Sequence, residues 1–156
     1  MNEATIPVVI GCGQITDKRS PEEGATAVEL MVEVARRAAE GAGPGQALLD
    51  GLDAVTAIQM TVDTPESGSG AAGMVRNVPA AVCSSLGIAP QEQLYTHSGG
   101  NTPQMLVNNY AERIAQGDLS SVLLVGAEAL STMLSRLKMG LDLDAWIDHS
   151  GEDEVM

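Results

Sequence analysis

Five consecutive residues hold most of the chemistry this chain can offer: His97, Ser98, Gly99, Gly100 and Asn101. They follow a short apolar segment ending at Thr96 and precede Thr102-Pro103, which starts a helical pattern. A strand end, a glycine-rich turn and a helix start together expose backbone N–H groups, a general seat for an oxyanion or a phosphate. Gly99, Gly100 and Asn101 are therefore the candidate binding residues. Ser98 is a candidate nucleophile and His97 a candidate base or acyl acceptor. Adjacent side chains seldom orient into a nucleophile–base pair, and no third group is evident to hold the histidine. The plain alternative is that both are polar turn residues, with Asn101 capping the helix that follows.

Other reactive residues are scattered. Cys12 and Cys83 show neither metal spacing nor a disulfide framework, and both read as buried small hydrophobes in a reduced, cytoplasmic protein. His149 lies in a polar, acidic tail and reads as solvent-exposed. No metal cluster, P-loop or full dinucleotide fingerprint is present, and Gly11-x-Gly13 alone carries little weight.

The elements that must position the turn follow from periodicity. Residues 6–15 read as a first strand, with Val8-Val9-Ile10 suited to a buried parallel strand and Gly11 and Gly13 allowing close backbone approach. Ser20-Pro21-Glu22-Glu23 predicts a helix start with a capping box, and the helix continues to about Glu40. A short helical turn is expected at 48–52, a strand at 54–60, an exposed Gly/Ser-rich loop at 64–73 and a helix at 78–86. A third strand at 93–96, a helix from Thr102 or Pro103 to near Gly117, a fourth strand at 122–125 and a helix at 131–139 complete the pattern. Strands alternating with helices predict an α/β fold: a mainly parallel four-stranded sheet in three layers, with helices on both faces.

The 156 residues suffice for one domain with a real core, 44% of them apolar, with no Phe, one Trp and two Tyr. The core must therefore be built from aliphatic residues, Met and Ala. The net charge of −13 argues against nucleic acid and against an anionic membrane surface. Six acids and no Lys or Arg fall between Asp142 and Glu154. No apolar run reaches the roughly 18 residues of a membrane span, and the N-terminus lacks a signal-peptide pattern.

Several segments resemble thiolases. The helix from Glu29 to Glu40 is similar to their first helix. The run Val122-Leu-Leu-Val-Gly126-Ala-Glu128 resembles the strand that follows their nucleophile helix. The phrase Gly99-Gly100-Asn101-Thr102-Pro103-Gln104, followed by Leu106-Val107-Asn108, resembles the thiolase-like proteins of type 1, often labelled acetyl-CoA acetyltransferases. The similarity spans about residues 7–137. It implies a thiolase-like half-domain over residues 1–140 and an acidic tail over 141–156. It also implies that Glu128 is placed to bond across the C-terminal edge of the sheet.

Counting back from Glu128 and Gly126 puts the thiolase cysteine position at Gly100, which has no side chain to form an acyl-enzyme. Cys83-Ser84-Ser85-Leu86-Gly87 imitates a thiolase Cys-Ser-Ser-Gly but lies 45 residues before Glu128, too far for one helix and one strand. The Gly-His-Pro motif and the Cys-x-Gly element of the family's later half are absent from this sequence. The resemblance thus implies a protein that binds acyl-CoA or a related thioester without ordinary thiolysis and requires no cofactor. Two alternatives stand beside it. One is a weak ester or thioester hydrolase or acyltransferase using Ser98 or His97. The other is a structural subunit, either a truncated frame or a stand-alone half, that pairs with itself or with a separate partner.

Overall fold

The structure is a computed structural model describing residues 6–63, 75 and 77–146. The loop expected at 64–73, His149 and the end of the acidic tail lie outside the described residues. Helices α1 (Ala27–Gly41) and α2 (Gln46–Asp50) precede strand β1 (Ala54–Ala57). Then come α3 (Val78–Leu86), β2 (Glu92–Tyr95), α4 (Thr102–Gln116), β3 (Val122–Val125) and α5 (Leu130–Met139). Single 3₁₀ turns lie at Thr61–Asp63 and Asp144–Trp146.

The three strands form one parallel sheet in the order β2-β1-β3. Ala57 is in register with Tyr95 on one side and Val125 on the other, so all three strands end at one edge. β1 is buried along its whole length. Period-two alternation turns Ala57 toward the larger core, with α1, α3 and Met133 of α5, and Ala54 toward α4. On the α4 face, Leu106 and Tyr110 pack against Ala54, Ile58, Val122 and Leu124. Helices thus cover both faces, as the β/α alternation predicts.

One polar network is buried on that face. Thr56 lies fully inside and its hydroxyl meets the Tyr110 hydroxyl at 2.5 Å. Tyr110 donates onward to Glu92 at 2.9 Å, so the shared proton belongs to Thr56. Arg113 grips Glu92 through two bonds of 2.8 and 2.7 Å, and that guanidinium holds the Glu92 carboxyl below its ordinary range. The network pins α4 to the end of the sheet opposite the 97–101 turn.

Two expectations are corrected. Residues 6–15 form no strand, and the sheet has three strands among the described residues rather than four. Ile6, Val8, Val9 and Ile10 are 58–84% exposed. The segment instead runs against α1, where Gly11 and Gly13 meet helix backbone. A Cβ at Gly11 would lie 2.3 Å from the Ala38 carbonyl oxygen, and one at Gly13 2.2 Å from that of Val34. The close approach read from the glycines is present, but its partner is a helix.

The second correction is the start of α1. Thr26 is the cap, and its capping box with Glu29 has bonds of 3.2 and 2.8 Å. Ser20–Glu23 makes only a turn. Arg136 of α5 takes the carbonyls of Pro21 and Glu22 at 2.9 and 3.1 Å, the acceptors a continuing helix needs. Asp17 accepts the Ala25 amide at 2.8 Å and fixes the chain just before the true start.

Gly11→Ala or Gly13→Ala should therefore destabilise the protein by about 1–3 kcal/mol, as overpacking against backbone does. Denaturant melts read this directly; an unchanged midpoint for both variants would contradict the close packing of this segment on α1.

Candidate functional site

Parallel strands deliver three turns to one edge of the sheet. After β1 come Ile58, Gln59, Met60 and the 3₁₀ turn Thr61–Asp63. After β2 comes Thr96 to Asn101, and after β3 Gly126 to Ala129. Ligands of open α/β sheets bind beyond such carboxyl ends, where turns meet helix N-termini.

Three side-chain bridges bind the turns together. Gln59 Oε1 accepts the Ser98 amide at 2.8 Å. Glu128 Oε1 accepts both the Thr61 amide at 2.6 Å and the Thr61 hydroxyl at 2.7 Å, a bond across the C-terminal edge of the kind expected for this residue. Tyr95 donates its hydroxyl to Asp63 Oδ2 at 2.5 Å and accepts the Met60 amide at 3.0 Å. Gln59, Tyr95 and Asp63 were not singled out from the sequence. A signal existed: in a chain with two tyrosines and no phenylalanine, each tyrosine is spent on a polar network as well as on core.

The 97–101 turn is held by its backbone. The His97 carbonyl accepts the hydroxyls of Thr96 and Thr102, each at 3.3 Å, and Thr102 donates its amide to the Gly99 carbonyl at 3.1 Å. His97 and Ser98 are both exposed, and no hydrogen bond joins their side chains among the described residues. Asn101 occupies the cap position of α4, but its side chain makes no capping bond. Its backbone is already helical (φ −96°, ψ −9°), whereas a side-chain cap needs the extended geometry that swings the oxygen over the first turn. The amides of Gly99, Gly100 and Asn101 meet no protein acceptor among the described residues.

Gly100 itself is open. A Cβ there would find nothing within 4 Å, and its φ is not positive, so the backbone would accept a side chain. Gly99 is tighter, with a Cβ position 2.9 Å from the Thr102 hydroxyl. Beside the turn, Ile58, Gln59, Gly126, Ala127 and Glu128 line an open cleft of about 330 Å³. Gly126 sits close to Ile58, at 3.3 Å from a would-be Cβ, which keeps the cleft floor tight. Gln59 belongs to both the cleft and the turn.

The cysteines divide. Cys83 is buried in α3, and burial pushes its thiol up to about 11, the opposite of an activated nucleophile. Cys12 is exposed, which corrects the expectation that it is a buried hydrophobe. It lies between Gly11 and Gly13, whose contact with α1 is made through backbone and leaves the intervening side chain outside. Among the described residues no three His, Cys, Asp or Glu side chains are grouped to hold a metal ion.

Asp63 carries the one buried side-chain oxygen without a partner among the described residues, Oδ1. Burial raises its carboxyl above the ordinary 3.8, the Tyr95 bond opposes the rise, and the nearby Glu128 charge adds to it. A carboxyl raised in the folded state favours the protonated form. The fold therefore loses stability as pH climbs from 3.8 through the folded value, and the penalty is complete above it. Asp63→Asn removes the charge and keeps an acceptor for Tyr95. It should raise the melting temperature near pH 7 and have little effect near about pH 3.5; equal shifts at both pH values would contradict this account.

No protein-family profile and no curated protein sequence matches the chain. Among solved structures, the fold is similar to that of a monomeric SCP2-thiolase-like protein type 1 from Mycobacterium smegmatis, with a TM-score of 0.66 and 24% identity. The match covers 94% of this chain and 32% of that one, so this chain spans about a third of the length of the protein it matches. The described helices include none long and apolar enough to cross a membrane. A parallel three-stranded sheet flanked by helices, superposing over nearly the whole chain, gives this protein a thiolase-like fold.

Proposed function

We propose that this chain is a thiolase-like unit that binds acyl-CoA or a related thioester at the C-terminal edge of its sheet and does not carry out thiolysis. The observation that carries the reading is the turn at the start of α4. It presents the amides of Gly99, Gly100 and Asn101 without a protein acceptor, and it offers no side chain at Gly100. Free amides at a helix N-terminus stabilise a carbonyl oxygen as charge gathers on it. A thiolate at the same place would be activated by the same field. This chain keeps the field and lacks the thiolate. Ser98 and His97 are the residues on which residual hydrolysis or acyl transfer would fall, and their exposed, unbridged side chains support the turn reading over that one. Both cysteines are free, which fits a reducing cytoplasmic setting.

Titration calorimetry with CoA and acetyl-CoA tests the binding; no heat at millimolar ligand would remove it. Gly100→Cys tests the field. The open Cβ position should accept the side chain, and the new thiol should titrate below the ~8.5 of a free cysteine. Its alkylation rate against pH reports that value. A thiol titrating at or above the free value would overturn the reading of the turn.

Exposed apolar residues favour a second role, pairing with another copy or with a partner subunit. Leu130, Leu134 and Leu137 form one exposed stripe on α5, in addition to the exposed Ile6, Val8, Val9 and Ile10. Light scattering across a concentration series should show a mass above 16.1 kDa; a well-folded monomer at all concentrations would remove self-pairing.

A further inference from the structure

We propose that the cleft at the C-terminal sheet edge takes a phosphate-free acyl thioester or ester in preference to a whole acyl-CoA. The inference rests on the reading that this edge binds an acyl group, and it narrows the ligand class.

Charge around the cleft is negative and fixed. Glu128 lines the cleft, and its two bonds from Thr61 hold the carboxylate in place. Asp63 lies near enough to feel the Glu128 charge. The arginines of the described residues are committed elsewhere, and Lys18 lies beside the Asp17–Arg19 pair in the stretch leading into α1. Arg113 holds Glu92, the first residue of β2, at the opposite end of the sheet. Arg36 donates to the Ser85 carbonyl at the end of α3, which leads into that same end. Arg37 pairs with Glu33, Arg19 with Asp17, and Arg136 with the carbonyls of Pro21, Glu22 and Asp142. Lys138 sits in the last turn of α5, the far end of that helix from the cleft. Arg76 lies outside the described residues, and the test below uses the full chain that contains it.

Backbone amides at Gly99 and Gly100 are the neutral donors near the cleft, the Gln59 Nε2 being already given to the Asp63 carbonyl at 3.3 Å. Such groups match a carbonyl oxygen. Coenzyme A adds a nucleotide with about four negative charges: its one phosphomonoester contributes roughly −1.5 to −2 near neutral pH and its diphosphate bridge about two more. A chain of net charge −13 repels it over a Debye length of about 8 Å at physiological salt. The cleft volume of about 330 Å³ lies at the small end of ligand sites, room for an acyl group on a short arm.

Titration calorimetry with the full chain compares three probes: S-acetyl-N-acetylcysteamine, acetyl-CoA and adenosine 3′,5′-bisphosphate. The short thioester should bind at least as tightly as acetyl-CoA, and the bisphosphate should give no heat. Raising salt from about 20 to 300 mM should tighten acetyl-CoA ~3-fold and leave the short thioester unchanged, because only the charged ligand is repelled. Glu128→Gln, whose amide oxygen can still accept from Thr61, should improve acetyl-CoA binding by a larger factor than it changes binding of the short thioester. Acetyl-CoA binding ~10-fold tighter than the short thioester, or weakening with salt, would overturn the preference and leave acyl binding at this edge standing. Heat from the bisphosphate would do the same. Failure of both thioesters to bind would remove both proposals.

Discussion

β1 carries both strand pairings of the sheet and is sealed on both faces, and the rest of the molecule is arranged around that burial. A four-residue strand can do this because its side chains are small. Ala54 and Ala57 let helices approach the sheet from opposite sides, and Thr56 is tolerated only because its hydroxyl has Tyr110 as a partner. The same strand fixes the register of its two neighbours. Because both neighbours are parallel to it and end level with it, three turns with different sequences reach one edge together.

What happens at that edge is a consequence of the alignment. The bridges Gln59–Ser98, Glu128–Thr61 and Tyr95–Asp63 join residues far apart in sequence, and each crosses from one strand end to another. They make a rim of neutral donors and fixed carboxylates. Added to the chain's net charge of −13, the Glu128 and Asp63 carboxylates make the field at that rim repulsive to anions.

The opposite end of the sheet is organised differently. There Glu92, Arg113, Tyr110 and Thr56 form a closed set of hydrogen bonds, with the Arg113 guanidinium also 5.4 Å above the Tyr110 ring. This end looks structural because every member has a partner. At the turn end several amides and one carboxylate oxygen have no partner among the described residues.

Much of the fold was legible in the chain itself. The helices Val78–Leu86 and Thr102–Gln116 stand where periodicity and stop signals put them, since their hydrogen bonds close within a few residues; the strand Val122–Val125 stands where its apolar run puts it, with its ladder partner in the distant β1. The candidate turn at 97–101 and the role of Glu128 at the sheet edge were legible too, from a glycine pair before a helix and from the resemblance to thiolases. Tertiary structure decided the rest. Residues 6–15 have a strand's composition, but their glycines found α1 first. The capping signal at Ser20 lost to Thr26 because Arg136, over a hundred residues later, claims the Pro21 and Glu22 carbonyls. Gln59 and Asp63 became part of the site only through partners 39 and 32 residues away. Local periodicity cannot report such contacts, because each depends on which strand ends become neighbours once β1 is buried.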